Sequence, residues 1–194
     1  MEPPFPIPEK YLSHLGDEEL SELSSILQFR RVLKNKVLIE AGKPVKDVYL
    51  VKEGVLKSII VDEKGREVNT HMAWNGMFIT AYYSLINRKP ADESVVSITN
   101  SELFFFSYKK FSSLFDKYPK IERLGRINAE EAFSCYADRG RMLLTMTAKE
   151  RYSHFMQTTP SQIFQHIPMQ DIASYLGIAP GSLSRIRNEL LHIC

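Results

Sequence analysis

The chain has 194 residues, with 25 basic and 23 acidic side chains for a net charge of +2, and is 44% apolar and 25% charged. That balance belongs to a folded globular protein and excludes both a disordered chain and a general polycation; the length allows one or two domains. No apolar run approaches the ~20 residues of a membrane span, and Cys135 and Cys194 form neither a CxxC pair nor a zinc spacing, so a disulfide framework or a metal site is not expected.

The N-terminus, Met-Glu-Pro-Pro-Phe-Pro, lacks a basic n-region and an apolar h-region, so no secretory signal is expected and the expected compartment is the cytoplasm. Leu20, Leu23 and Leu27 then repeat at helical spacing behind Asp17, a plausible N-cap, and predict a short amphipathic helix over Leu15–Leu27; the acids Asp17, Glu18, Glu19 and Glu22 read as its solvated face. From Phe29 to about Ser107 the texture changes to short strand-like runs: Val37–Ile39, Val48–Val51, Val55–Val61, Val68–Trp74, Val95–Ile98 and Leu103–Phe106. Gly42, Gly54, Asp62-Glu-Lys-Gly65 and Asn75-Gly76 punctuate them. Short strands at this regular spacing predict an antiparallel barrel or sandwich.

Beyond Tyr108 the pattern is helical. A short helix to about Phe115 precedes a long one from about Lys120 to Leu144, interrupted only by Gly125 and Gly140, where local irregularity is expected. Along it Ile121, Leu124, Asn128, Ala132, Cys135, Arg139 and Met142 follow i, i+3/i+4 steps and predict a dimer seam. Thr147-Ala-Lys-Glu150 is a capping box that opens a further helix, which Pro160 ends.

The segment Gln170–Leu190 is the most specific in the chain. Ile172, Leu176, Ile178, Leu183, Ile186 and Leu190 supply a small shared core for two helices. Ala173 permits their close crossing, Gly177 suits a left-handed C-cap, and Pro180 suits a first helical turn. The second helix is left with Ser182, Ser184, Arg185, Arg187 and Asn188 outside, against a single acid, Glu189. This is the layout of a helix-turn-helix, in which Arg185 would read a base edge, Ser182 and Gln170 would hold phosphates near helix N-termini, and Ser184, Arg187 and Asn188 would add contacts.

Strands followed by a long helix and a helix-turn-helix, together with Val48-Tyr-Leu-Val-Lys-Glu-Gly54, the Asp62–Gly65 hairpin, Ser107-Tyr-Lys-Lys-Phe111 and the block Asp171–Leu190, resemble the Crp/Fnr superfamily of bacterial transcription regulators over nearly the whole chain. The resemblance implies an α+β architecture: an N-terminal antiparallel β-barrel (jelly-roll-like) sensor domain over 1–116, a long dimerisation helix over 117–146 and an all-α helix-turn-helix domain over 147–194. It further implies a homodimer on an inverted-repeat operator in double-stranded DNA, with RNA polymerase as a candidate partner and no membrane. Many members add a β-hairpin wing after the reading helix; with the sequence stopping at Cys194, either the wing is dispensed with or the sequence stops short of it.

Members that bind cyclic nucleotides carry a Gly-Glu pair for the ribose and, ten residues later, an Arg-Ser pair for the phosphate. Aligning Phe78-Ile79 with the start of that cassette puts Thr80-Ala81 at the first pair and Ala91-Asp92 at the second. An acid where a phosphate must sit makes cAMP and cGMP poor ligands, and Arg88, three residues earlier, reads as a solvated loop arginine rather than a substitute. Tyr82 and Tyr83 either frame a pocket for another effector or belong to the barrel core, the simpler reading. No cofactor is expected: there is no N-terminal cysteine cluster, and His71, His154, His166 and His192 have no evident ligand partners. No GxSxG, P-loop, HExxH or dinucleotide turn is present, so a binding protein is expected rather than an enzyme. The competing reading is a ligand-sensing barrel whose C-terminal helices mediate protein contacts.

Overall fold

Strand side chains alternate between faces, and β3 (Asp47–Glu53) shows how two cores arise from one strand. In the computed structural model, which describes residues 14–191, Tyr49 and Val51 point inward with Ile39, Leu56, Ala73, Ile79, Ala81, Ala91, Val95 and Leu103. Leu50 and Val48 point outward into a second core with Leu23, Phe106, Phe111, Ile121 and Leu124. The other strands are β1 (Gln28–Val32), β2 (Val37–Ile39), β4 (Val55–Val61), β5 (Glu67–Trp74), β6 (Phe78–Ile79), β7 (Ser94–Ser97) and β8 (Ser101–Ser107). They form two four-stranded antiparallel sheets, ordered β1-β8-β3-β6 and β2-β7-β4-β5. The architecture is therefore an α+β jelly-roll-like sandwich whose sheets do not close into a barrel. At the β4–β5 hairpin the Asp62 carboxylate accepts the N–H groups of Lys64 and Arg66, both at 2.9 Å, and Gly65 takes the positive φ of 75°.

The first helix, α1 (Asp17–Ile26), starts as expected but its cap is different. Gly16 is the N-cap, and the Glu19 carboxylate accepts the Gly16 N–H at 2.8 Å, so Asp17 lies inside the first turn. Short helices α2 (Tyr82–Ile86) and α3 (Tyr108–Ser112) precede α4 (Pro119–Thr145), a 27-residue helix that runs unbroken through Gly125 and Gly140. A Cβ on Gly125 would lie 3.2 Å from the rings of Phe111 and Phe115, so this glycine lets α4 close over two phenyls. Helix α5 (Ala148–Thr158) opens on the expected capping box: Thr147 N–H donates to Glu150 Oε2 at 2.7 Å and Glu150 N–H returns to Thr147 Oγ1 at 3.3 Å. Helices α6 (Ser161–Phe164), α7 (Met169–Leu176) and α8 (Pro180–Leu191) complete the fold.

The C-terminal helices do not build their core alone. Tyr152, Phe155, Ile172, Leu176 and Leu183 pack in one cluster with Val55 and Met72 of the sheets and with Ile98 just after β7. Polar contacts fasten the same junction. Lys57 Nζ pairs with Asp171 Oδ1 at 2.6 Å, both side chains about 15% exposed. Asn69 N–H donates to Ser174 Oγ at 2.9 Å, and Asn69 Nδ2 donates to the Asp171 carbonyl at 3.0 Å. Helix α7 is thereby laid along β5.

Candidate nucleic-acid interface and effector cassette

The helix-turn-helix is built as its residues dictate. Helix α7 ends at Gly177, which holds φ 61° and ψ 40°, the left-handed cap that favours glycine, and Ile178 N–H closes on the Ala173 carbonyl at 2.9 Å. Ala173 is 1% exposed at the crossing, and Pro180 is the first residue of α8. Leu183 is buried and Ile186 and Leu190 half-buried, which turns Ser184, Arg185, Arg187 and Asn188 to solvent, with Ser182 half-buried. Gln170 is exposed in the first turn of α7. Among the described residues Arg185 has neither hydrogen bond nor ion pair, whereas Glu189 pairs with Lys149 at 3.6 Å. The one acid of the helix is thus screened locally while both guanidinium groups face outward.

The cassette residues fall into different surroundings. Ala81 and Ala91 are buried in the interior core between the sheets. Thr80 donates its hydroxyl to the Asp47 carbonyl at 2.9 Å. Asp92 is tied to Ser84, whose hydroxyl donates to Asp92 Oδ1 at 2.5 Å and accepts the Asp92 N–H at 3.1 Å. Arg88 is exposed, with φ at 54°. The core reading of the two tyrosines is corrected: Tyr82 is half-buried and Tyr83 is 57% exposed, with Lys89 5.6 Å from its ring. Glu93, next to Asp92, is buried; its carboxylate accepts the Thr70 hydroxyl at 2.7 Å, and burial pushes its pKa up.

The stripe expected to form the dimer seam faces the chain's own domains. Ile121, Leu124 and Met142 are buried within the subunit, and Asn128 and Ala132 are half-buried beside them. Cys135 Sγ lies 3.9 Å from His71 Nδ1, and Arg139 Nη2 donates to the carbonyls of Asn69 and Tyr175, each at 2.9 Å. The reason is geometric: a helix packed against both a sheet and a second domain spends its strongest apolar periodicity in cis. The opposite face exposes Phe133 (74%) and Leu144 (87%), and Phe133, Ala137, Gly140 and Leu144 step by four, three and four residues, a coiled-coil spacing. Cys194 and His192 lie outside the described residues.

Burial also sets the state of His71. It is 8% exposed, its imidazole stands 5.3 Å from the Tyr136 ring, and desolvation, with the Arg139 charge, lowers its pKa to about 4. An unfolded histidine titrates near 6.5, so the unfolded chain binds the proton first. Stability is full above pH ~6.5 and declines as pH falls towards 4, by at most about 3 kcal/mol. Glu93, with its raised pKa, acts in the opposite sense, since its share is lost as pH rises through the folded value. Urea unfolding from pH 7 to pH 4 should therefore show a smaller loss in His71→Gln than in the parent; identical slopes would contradict the buried, neutral imidazole.

Two antiparallel sheets, a long helix and a helix-turn-helix whose last helix has an exposed polar face make up the described chain. Residues 29–118 match the family model of the cyclic nucleotide-binding domain. The anaerobic regulatory protein of Pasteurella multocida is 23% identical over 190 residues, 91% of this chain and 68% of its own. The fumarate and nitrate reduction regulatory protein of Vibrio cholerae is 23% identical over 198 residues, covering 92% of this chain and 77% of that protein. Among solved structures, FixK2 of Bradyrhizobium japonicum superposes with a TM-score of 0.74 at 18% identity, over 86% of this chain and 85% of that one. The c-di-GMP-responsive global regulator CLP of Xanthomonas campestris gives 0.71 at 16% identity, over 89% and 90%. In sequence and fold the chain is thus similar to transcription regulators of the Crp/Fnr type.

Proposed function

We propose that this regulator acts as a homodimer that reads an inverted-repeat DNA operator with α8, one reading helix per half-site. The observation that carries the proposal is the outer face of α8: Arg185 and Arg187 project with Ser184 and Asn188 while Glu189 is held by Lys149. The exposed seam of α4 supports the two-fold partner. Among the described residues no helix is long and apolar enough to cross a membrane, in keeping with a cytoplasmic regulator, for which RNA polymerase is the candidate protein partner. The test is fluorescence anisotropy on duplex DNA at increasing salt. Binding through phosphates requires log K to fall steeply against log salt, by roughly 0.9 for each phosphate neutralised. Salt-independent or absent binding would favour C-terminal helices that dock protein instead.

The effector of this proposal is not a cyclic nucleotide. Ala81 and Ala91 lie in the interior core where ribose and phosphate contacts belong, and buried Glu93 stands beside Asp92. Calorimetry with cAMP or cGMP should show no saturable binding tighter than about 1 mM. A micromolar Kd for either would overturn this part of the account.

A further inference from the structure

A cavity of about 320 Å³ lies outside the interior core, between the outer face of the β1-β8-β3-β6 sheet and helices α1, α3 and α4. Its walls are largely apolar, with Phe78, Phe106, Phe111, Phe115 and Leu124 among them; His71 and Tyr136 meet on one side, and Glu122, Arg126 and Asn128 of α4 also line it. It meets the predicted effector residues only at Thr80 and Tyr82; Ala81, Ala91 and Asp92 take no part in its lining. The His71 imidazole is more than nine-tenths buried, and among the described residues its one polar contact is the weak 3.9 Å approach of Cys135 Sγ.

We propose that this cavity is a binding site for an uncharged, mainly aromatic or aliphatic small molecule that offers one hydrogen bond to His71. The volume is that of a small-ligand pocket, and a few polar groups in an apolar shell are how such pockets fix orientation. A charged ligand is disfavoured: Arg126 at the lining is already paired with Glu130, and Glu122 lines the cavity too, so an added charge of either sign meets a like charge and is desolvated among phenyl rings. The site also has a mechanical connection. Tyr136 stands one turn from Arg139, whose guanidinium lies 4.8 Å from the Tyr175 ring and hydrogen-bonds to both β5 and α7. An occupant that moves Tyr136 and His71 therefore acts on the residue that ties α7 to the sheet, and so on the reading helix behind it. This second half rests on the DNA-binding proposal; the pocket itself does not.

The test uses the full chain and N-phenyl-1-naphthylamine, an uncharged fluorophore with one N–H donor. The expected result is a saturable titration with one probe per chain and a micromolar Kd, weakened about tenfold in His71→Leu. Ala132→Phe and Leu27→Trp, which fill the cavity from different walls, should abolish it while circular dichroism stays parental, and either variant suffices if the other misfolds. The sulfonated analogue, anilinonaphthalene sulfonate, should bind at least about tenfold more weakly. The pocket is refuted if the folded parent shows no saturable binding, if folded cavity-filling variants bind as the parent does, or if the sulfonate binds equally well. For the coupling, saturating probe should change DNA affinity at least about threefold in the parent and not in Ala132→Phe; an unchanged affinity overturns the coupling. Because the titration contains no DNA, its result stands whether or not DNA binding is found.

Discussion

The double substitution Phe133→Glu with Leu144→Glu should convert the protein to a monomer and abolish operator binding at concentrations where the parent is saturated. Both side chains are mostly exposed on α4, at 74% and 87%, and neither supports the subunit's own core. In a two-fold pair each is buried twice, and a buried Phe or Leu side chain contributes roughly 1.5–3 kcal/mol. Replacing them with facing carboxylates removes that gain and adds repulsion, so dimerisation should weaken by at least about ten-thousandfold. Sedimentation velocity at micromolar concentration reads this directly. The thermal midpoint of the monomer fold should change little, since solvent-facing positions are altered. Arg139→Ala is the informative comparison: it should loosen the hold on α7 and leave the dimer intact. A dimer that survives the double glutamate change would exclude this face as the seam.

Arg185→Ala should have the second large effect, and a selective one. Arg185 is exposed on α8 without a hydrogen-bond or ion-pair partner among the described residues, so its truncation costs the fold nothing evident. A bidentate arginine–guanine contact contributes about 1–3 kcal/mol of discrimination, which predicts roughly a tenfold to hundredfold loss of affinity per half-site and a flattened preference at one base pair. Gln170→Ala, at the first turn of α7, should weaken all sequences about equally, as loss of a phosphate contact does. Anisotropy titrations on a panel of single-base operator variants separate the two behaviours. Unchanged affinity and unchanged base preference in Arg185→Ala would remove α8 from the role of reader.

Local chemistry was legible in the sequence wherever one residue type has one structural use. Gly177 takes the left-handed cap, Pro180 opens α8, and Thr147 and Glu150 close their box. Strand β1 was missed because four of the five residues in Gln-Phe-Arg-Arg-Val are exposed and no apolar alternation marks it. The stripe on α4 shows a more general limit. Periodicity reports that a face is buried without saying against what, and the stripe from Ile121 to Met142 is used by the chain's own sheets and C-terminal helices. The junction of α7 with β4 and β5 left no local signal: Lys57 and Asp171 are 114 residues apart, and each reads alone as an ordinary surface charge. Of the cassette, the replacements at Ala81, Ala91 and Asp92 were visible residue by residue. The cavity on the outer sheet face was not, because helices distant in sequence supply its walls.

Selection of bound sequences from random duplex oligonucleotides with the purified parent chain tests the central claim most directly. The account predicts enrichment of an inverted repeat whose half-site centres lie about one helical turn, roughly 10 base pairs, apart, with a guanine in each half-site that Arg185→Ala no longer selects. Failure to enrich any sequence, or enrichment of a motif without two-fold symmetry, would contradict a dimeric reader built on α4 and α8.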